Sequence, residues 1–305
     1  MSTSTMMLWS MLMIAVAVLP AVAVDQCGGD DDDDDDDDTG DDDDDATEGE
    51  FELITYNVAG LLDPISGSTP SVNNPLISPL LNAYDMALVQ EDFYYHDELT
   101  SALLHPYQTD LSETWRFIRP GDGLNMFLYY SFDMFYREKW DACNGVVGNA
   151  NDCLTDKGFS FGQVKLANGA TVDVYNLHMD AGGADEDAAA RADNVDQLAE
   201  FIVEMSAGRA VIVAGDTNLS YGREADRESL DRLLDVADLA DACRYLACPE
   251  EAIDRVMFRP GDDVDLEATV WRRPTEFIDG AGKDLSDHRP VAVHFHWSKA
   301  PVSTP

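Results

Sequence analysis

A run of aspartates, Asp30–Asp38 resumed at Asp41–Asp45, limits what this chain can build more than any other feature. Such a run buries no apolar surface and repels itself, so residues 25–50 read as a disordered, solvated acidic linker. It divides an apolar head, 1–24, from 51–305, a length that suits one large α/β domain with a proper core. The whole chain carries 19 Lys+Arg against 60 Asp+Glu, a net charge of −41. The linker explains only part of this, because residues 51–305 still carry a net charge of −24; the first cation anywhere is Arg116. A field of that sign repels nucleic-acid phosphates and anionic bilayers, which excludes generic DNA- or RNA-binding modules and electrostatic membrane docking. Phosphate chemistry on nucleic acid is only disfavoured, since a bound metal reverses the local sign.

Met6–Val24 is almost wholly apolar and closes with small residues at Ala21 and Ala23, the pattern of a secretory signal peptide over 1–24. The alternative is an uncleaved anchor, because a stretch of 19 residues, broken only by Ser10 and Pro20, just spans a bilayer. Cys27 is a candidate lipid tether, although Val24-Asp25-Gln26 lacks the small residue expected before a lipidated cysteine. The other four cysteines form two local pairs, Cys143 with Cys153 and Cys243 with Cys248. In an exported chain these read as two disulfides; a zinc site is the alternative, but neither pair has CxxC spacing nor a histidine in its loop.

Strands are expected at Phe51–Val58, Met86–Glu91, Asn125–Ser131, Phe161–Leu166, Thr171–His178, Val211–Gly215, Ile253–Phe258 and Val291–Trp297. Asn168-Gly169 is a strong hairpin signal between two of them. Helices are expected at Asn74–Tyr84, Asp185–Met205 and Glu228–Val236. The second has an acidic first turn and a stripe of Ala188, Ala192, Val195, Leu198, Ile202 and Met205. Interleaved strands and helices, with hairpins present, argue for a mixed α/β sandwich with helices outside.

The polar residues of interest close these apolar strands: Asn57, Glu91, His178, Asp216 with Asn218, and Asp287-His288 just before PVAVHF. Singly each passes for a turn residue, a cap or a buried histidine. Together, carboxylates, amides and imidazoles at core-strand ends are what metal-assisted hydrolysis requires. Hard oxygen ligands favour Mg²⁺ over Zn²⁺. His294 and His296 share one strand face and read as exposed or packed histidines.

The order TYN…QE…NLH…GDTN…SDH resembles the endonuclease/exonuclease/phosphatase (deoxyribonuclease I-like) superfamily over 51–298, leaving 299–305 as a C-terminal tail. DCLTDKGFSF and VDVYNLHMDAGG are most similar to its secreted sphingomyelinase-like branch. The resemblance implies a four-layer α/β sandwich, two face-to-face mixed β-sheets flanked by helices. It implies Glu91 as a Mg²⁺ ligand, with Asn57 beside it and Asp287 near the metal, and Mn²⁺ or Ca²⁺ as substitutes. Asp254, in IDRVMF, joins the site and pairs with His288 as a carboxylate–imidazole dyad. Asp216 and Asn218 orient water and phosphate, and His178 contacts phosphoryl oxygens. The base is either His288 or Asp216. The implied activity is hydrolysis of a phosphodiester by an exported, monomeric enzyme. A phospholipid is favoured over nucleic acid, because the basic residues a nuclease groove wants, Arg116, Arg119, Arg272, Arg273 and Lys283, are outnumbered by acids. Membrane-inserting relatives carry an exposed aromatic hairpin; Phe127–Tyr136 is aromatic-rich, but a buried strand explains it as well.

Overall fold

The computed structural model describes residues 46–112, 121–145, 153, 155–249 and 252–300. The signal, the whole acid run, Cys27, Arg116, Arg119 and residues 301–305 lie outside them. In chain order the first elements are β1 (Glu48–Asn57), α1 (Pro70–Leu81), β2 (Met86–Gln90), α2 (His96–Thr100), β3 (Tyr107–Gln108), β4 (Asn125–Leu128) and β5 (Phe132–Lys139). Next come β6 (Gly158–Lys165), β7 (Thr171–His178), α3 (Asp185–Met205), β8 (Val211–Asp216) and α4 (Glu224–Val236). The last are β9 (Ala240–Asp241), α5 (Ala242–Tyr245), β10 (Asp254–Arg259), β11 (Val264–Arg272) and β12 (Val291–Lys299).

The strands form two six-stranded sheets, ordered β11-β12-β1-β2-β4-β3 and β5-β6-β7-β8-β10-β9. Each is mixed: β1 runs parallel to β2, and β7 to β8, among antiparallel neighbours. Side chains alternate faces along a strand, so each sheet divides its residues by parity. Phe51, Leu53, Met86, Leu88, Val293 and Phe295 of the first sheet meet Val172, Val174, Ile212, Ala214, Val256 and Phe258 of the second in the central core. The opposite parity, Ile54, Tyr56, Ala87 and Val89, packs against Ile77 and Leu81 of α1 and Leu99 of α2. On the other outside, Tyr175, Leu177, Val211 and Val213 pack against Val195, Leu198 and Ile202 of α3 and Leu230 and Leu233 of α4. The result is the expected four-layer sandwich, helices outside and sheets within.

Local chemistry explains the elements. The acidic first turn of α3 complements the helix dipole, and Asp187 Oδ2 accepts the Ala184 N–H at 2.7 Å. Fully buried Arg191 ties α3 to α4 through Asp226, 2.9 Å away. Asn168 and Gly169 both take positive φ, 52° and 68°, in the turn joining β6 and β7. Cys143–Cys153 and Cys243–Cys248 are paired as disulfides.

Several elements differ from the sequence pattern, and the short α2, β3, β9 and α5 are not announced by it at all. Helix α1 begins at Pro70, where a missing N–H costs nothing. Helix α4 begins at Glu224, before its apolar stripe. The segment NMFLYYS does not stay in one strand: β4 ends at Leu128, and β5 belongs to the other sheet. Strand β11 was not expected, because it lies near the sheet edge and exposes alternate polar residues. Phe127 is buried in β4 and Tyr136 of β5 stacks on Phe161, so this aromatic stretch forms no protruding hairpin.

Buried His105 gives the fold a defined acid sensitivity. Its Nε2 lies 2.9 Å from the Tyr84 carbonyl, while Nδ1 has no hydrogen-bond partner. Burial lowers its pKa, and the Tyr84 carbonyl and Asp85 offset this only in part. Below the unfolded value, near 6.5, the unfolded chain therefore takes up a proton that the native ring refuses. This contribution is present above that pH and is lost as pH falls, with a limiting slope of about 1.4 kcal/mol per pH unit. Urea unfolding at pH 7.5 and 5.5 should show a smaller loss of stability in His105→Gln than in the wild type. An equal loss in both would remove His105 as the cause.

Candidate active site

The inward-facing parity of each central strand turns from apolar to polar at the same end of the sandwich. Along β1 it reads Phe51, Leu53, Thr55, Asn57; along β7, Val172, Val174, Asn176, His178; along β8, Ile212, Ala214, Asp216. Strand β10 runs antiparallel to β8, so its polar residue is the first, Asp254. Register sets His178, Asp216 and Asp254 in one row across three adjacent strands.

A buried polar seam underlies this row. Gln90 Nε2 donates to Asn176 Oδ1 at 2.7 Å and to Thr55 Oγ1 at 3.0 Å. Asn176 Nδ2 donates back to the Val89 and Asn125 carbonyls, at 2.9 and 3.1 Å. Above it, Asn57 Nδ2 donates to Glu91 Oε1 at 3.0 Å and, across the sheet interface, to Asp216 Oδ2 at 3.1 Å. The Ala59 N–H donates to Asn57 Oδ1 at 3.0 Å, which fixes the orientation of the amide. Asn57 thus orients Glu91 and Asp216, and its own oxygen is engaged.

Glu91 follows the end of β2 with φ 57°, a left-handed conformation that costs a side-chain-bearing residue about 1–2 kcal/mol. That turn places its carboxylate beside the inward-facing Asn57. Asn218, φ 51°, donates its N–H to Asp216 Oδ1 at 3.1 Å. His178 is buried, with Nε2 3.4 Å from Asp216 Oδ2. His288 Nδ1 lies 3.0 and 3.1 Å from the Asp254 oxygens, and its Nε2 is 3.6 Å from Asp216 Oδ2. His288 is 19 % exposed where Asp216 is 1 % exposed, so the imidazole is the member of this group that meets solvent. Asp287 is exposed; Ser286 Oγ lies 3.3 Å from its Oδ1, and a Cβ on Gly67 would come 2.1 Å from its Oδ2. His294 and His296 lie on the outer face of β12, away from the site.

Electrostatics follow from this packing. Burial raises the Asp216 pKa, and Asp254 adds to the rise; His288, Lys157 and Asn57 oppose it. Burial lowers His178 well below its ordinary value, as do the charges of Lys157 and His288, so its ring is neutral. Burial opposes charge on His288 too, but the Asp254 hydrogen bond and the charges of Asp216, Asp254 and Asp287 outweigh it and push the pKa up to about 10.

Two residues of this assembly escaped the sequence reading. Ser286 Oγ donates to the Asn57 carbonyl at 2.7 Å and pins the SDH turn to β1. Lys157, nearly buried, donates to the Met179 carbonyl at 3.3 Å and places its charge near Asp216 and His178. The available signal was a lone lysine directly before the apolar strand GFSF.

Atoms of Asp216, Asp254 and His288 lie within 4.8 Å of one another, a spacing able to hold an ion. The Asp254–His288 hydrogen bonds already occupy that pair, however. Glu91 and Asp287 each offer carboxylate oxygen, the ligand type a hard divalent cation prefers.

No protein-family model matches the chain. It is 35 % identical over 271 residues to the sphingomyelinases of Mycobacterium bovis and Mycobacterium tuberculosis, covering 82 % of this chain and 53 % of theirs. The chain therefore spans about half the length of these curated relatives. Among solved structures, it resembles an endonuclease/exonuclease/phosphatase family protein from Bacteroides thetaiotaomicron, with TM-score 0.60 and 17 % identity over 82 % of this chain and 99 % of that one. It also resembles a beta toxin variant from Staphylococcus aureus with bound magnesium ions, with TM-score 0.59 and 16 % identity over 80 % and 99 %. At such identities the structures establish the fold.

The Asp254–His288 contact is directly measurable. In metal-free protein, the His288 ring resonances should remain those of an imidazolium at pH 8. In Asp254→Asn the titration midpoint should drop by roughly one to three pH units, as for loss of an adjacent opposite charge. An unchanged midpoint would mean that Asp254 does not hold the ring.

Proposed function

We propose that the chain is a member of the endonuclease/exonuclease/phosphatase superfamily and a divalent-metal-dependent phosphodiesterase of the sphingomyelinase type. The observation that supports this reading is the Asn57 amide hydrogen-bonded to both Glu91 and Asp216, the carboxylates proposed to ligate the metal and to orient water. Glu91 and Asp287 hold the cation, with Asn57 keeping Glu91 in place. Mg²⁺ is the proposed ion, in keeping with the magnesium ions bound to the S. aureus beta toxin variant; Mn²⁺ or Ca²⁺ would substitute. A bound cation supplies positive charge for the phosphoryl and leaving oxygens and lowers the proton affinity of nearby His288.

The protein's own groups do the rest. Both Asp216 oxygens already face donors, whereas His288 Nε2 is the ring atom not engaged by Asp254. His288 therefore takes the proton from the attacking water, and Asp254 sets its orientation and stabilises the imidazolium. Asp216 and Asn218 orient water and phosphate. His178, kept neutral by burial, hydrogen-bonds phosphoryl oxygen, and Lys157 adds fixed positive charge behind it.

A phospholipid with a neutral headgroup is the proposed substrate. Residues 51–115 hold no Lys or Arg. Arg272, a candidate for a nucleic-acid groove, is committed to Glu52 and Glu276. The signal over 1–24 exports the chain, residues 25–50 space the domain at 51–298 from the cell surface, and Cys27 is the proposed tether. The enzyme acts as a monomer.

The test is an assay of the purified protein with Mg²⁺ against sphingomyelin, phosphatidylcholine, duplex DNA and phosphomonoesters. Turnover of DNA alone would replace the lipid reading with the nuclease one. Glu91→Gln keeps the Asn57 hydrogen bond but removes the ligand charge. It should lower kcat/KM by about a hundredfold or more, beyond the usual cost of losing an outer-shell partner, without lowering Tm. Near-normal turnover at saturating Mg²⁺ would sink the metal assignment.

A further inference from the structure

The loop between β1 and α1 is apolar, exposed and anchored to the site at both ends. Its entry is fixed by the Gly60 N–H, which donates to the Glu91 carbonyl at 3.0 Å. Its exit is fixed by Ser66 Oγ, which donates to the Ala59 carbonyl at 2.7 Å, and by Gly67, packed against Asp287. Between these lies Leu61-Leu62-Asp63-Pro64-Ile65, with Ile65 67 % and Leu62 45 % exposed. The one charge, Asp63, is turned back: its carboxylate accepts the Ser71 N–H and hydroxyl at 3.1 and 2.6 Å. Backbone bonds from Ile65 and Ser66 to the Leu62 carbonyl, 2.8 and 2.9 Å, set the tip as a turn. In water this exposure is unfavourable, and it occurs beside the proposed metal ligands.

We propose that Leu62 and Ile65 form a lip that enters the headgroup region of a zwitterionic bilayer and so presents lipid phosphodiesters to the site. The proposal rests on the phospholipid reading given above. The occupant is a neutral lipid surface because no cation occurs between residue 51 and Arg116 to attract an anionic one. Leu104 provides an internal control. It is 70 % exposed, but its N–H donates to Asn82 Oδ1 beyond the C-terminal end of α1, at the opposite end of the sandwich.

The test uses the full chain in a Cys27→Ser background, with Ile65→Cys or Leu104→Cys carrying an environment-sensitive nitrobenzoxadiazole dye. With EDTA present to stop turnover, phosphatidylcholine vesicles should brighten the dye at 65 and leave it unchanged at 104. Adding phosphatidylserine should not strengthen the response. In the separate Leu62→Ser/Ile65→Ser variant, hydrolysis of vesicle lipid should fall about tenfold or more, while hydrolysis of a monomeric short-chain phosphocholine lipid stays within about twofold. No response at 65, in a protein that hydrolyses lipid in the same vesicles, overturns the lip and leaves the proposed function standing. A response at 65 without hydrolysis of any lipid supports the lip and defeats that function instead. A double variant that loses self-association but meets vesicles as the wild type does would assign the lip to a second copy and overturn the proposal.

Discussion

The active end of this molecule depends on one amide. Asn57 stands at the end of a strand in one sheet, and its Nδ2 donates to Glu91 of that sheet and to Asp216 of the other. Two carboxylates brought this close repel each other, and a buried donor shared between them offsets that repulsion. Ala59 holds the amide oxygen from behind, so the amide is not free to turn. Ser286 then pins the Asp287-His288 turn to the Asn57 carbonyl, so the same residue also positions the dyad.

Such an arrangement needs a stiff support, and the stratified space between the sheets provides it. Apolar layers fill one end and hydrogen-bonded amides the middle. Ionisable groups occupy the other end. The order matters energetically: an unpaired buried polar group costs about 1–3 kcal/mol, whereas the Gln90–Asn176 pair satisfies donors from both sheets. Those amides also separate the carboxylates from the hydrocarbon core.

Charge is managed differently at the two scales. Globally the chain is strongly acidic, but the arginines of the fold are spent locally. Arg191 pairs with Asp226, Arg255 with Asp241 and Arg137 with Asp122. Within the site, Lys157 is the cation set behind Asp216 and His178. The loop at residues 60–67, which packs against Asp287, exposes Leu62 and Ile65 at its tip and holds no cation.

The sequence by itself determined the strand parity and hence the layers, because alternation is a local property of the backbone. It also determined which residue types close the strands: Asn57, Glu91, His178, Asp216, Asn218, Asp254, Asp287 and His288 were all legible as strand-end polar groups or motif members. Helix α3 was readable to its ends from its acidic first turn and apolar stripe. Only the tertiary structure decided which of these residues meet. Register between β7, β8 and β10 lines up His178, Asp216 and Asp254, and sheet-on-sheet packing brings Asn57 to Asp216 across 159 positions of sequence. Glu91 reaches the site through a positive φ that no pattern announces, and Ser286 and Lys157 act through contacts with distant carbonyls. The physical reason is that alternation, capping and propensity are set by near neighbours. Pairing between sheets is set by burial of the whole core, which no short stretch encodes.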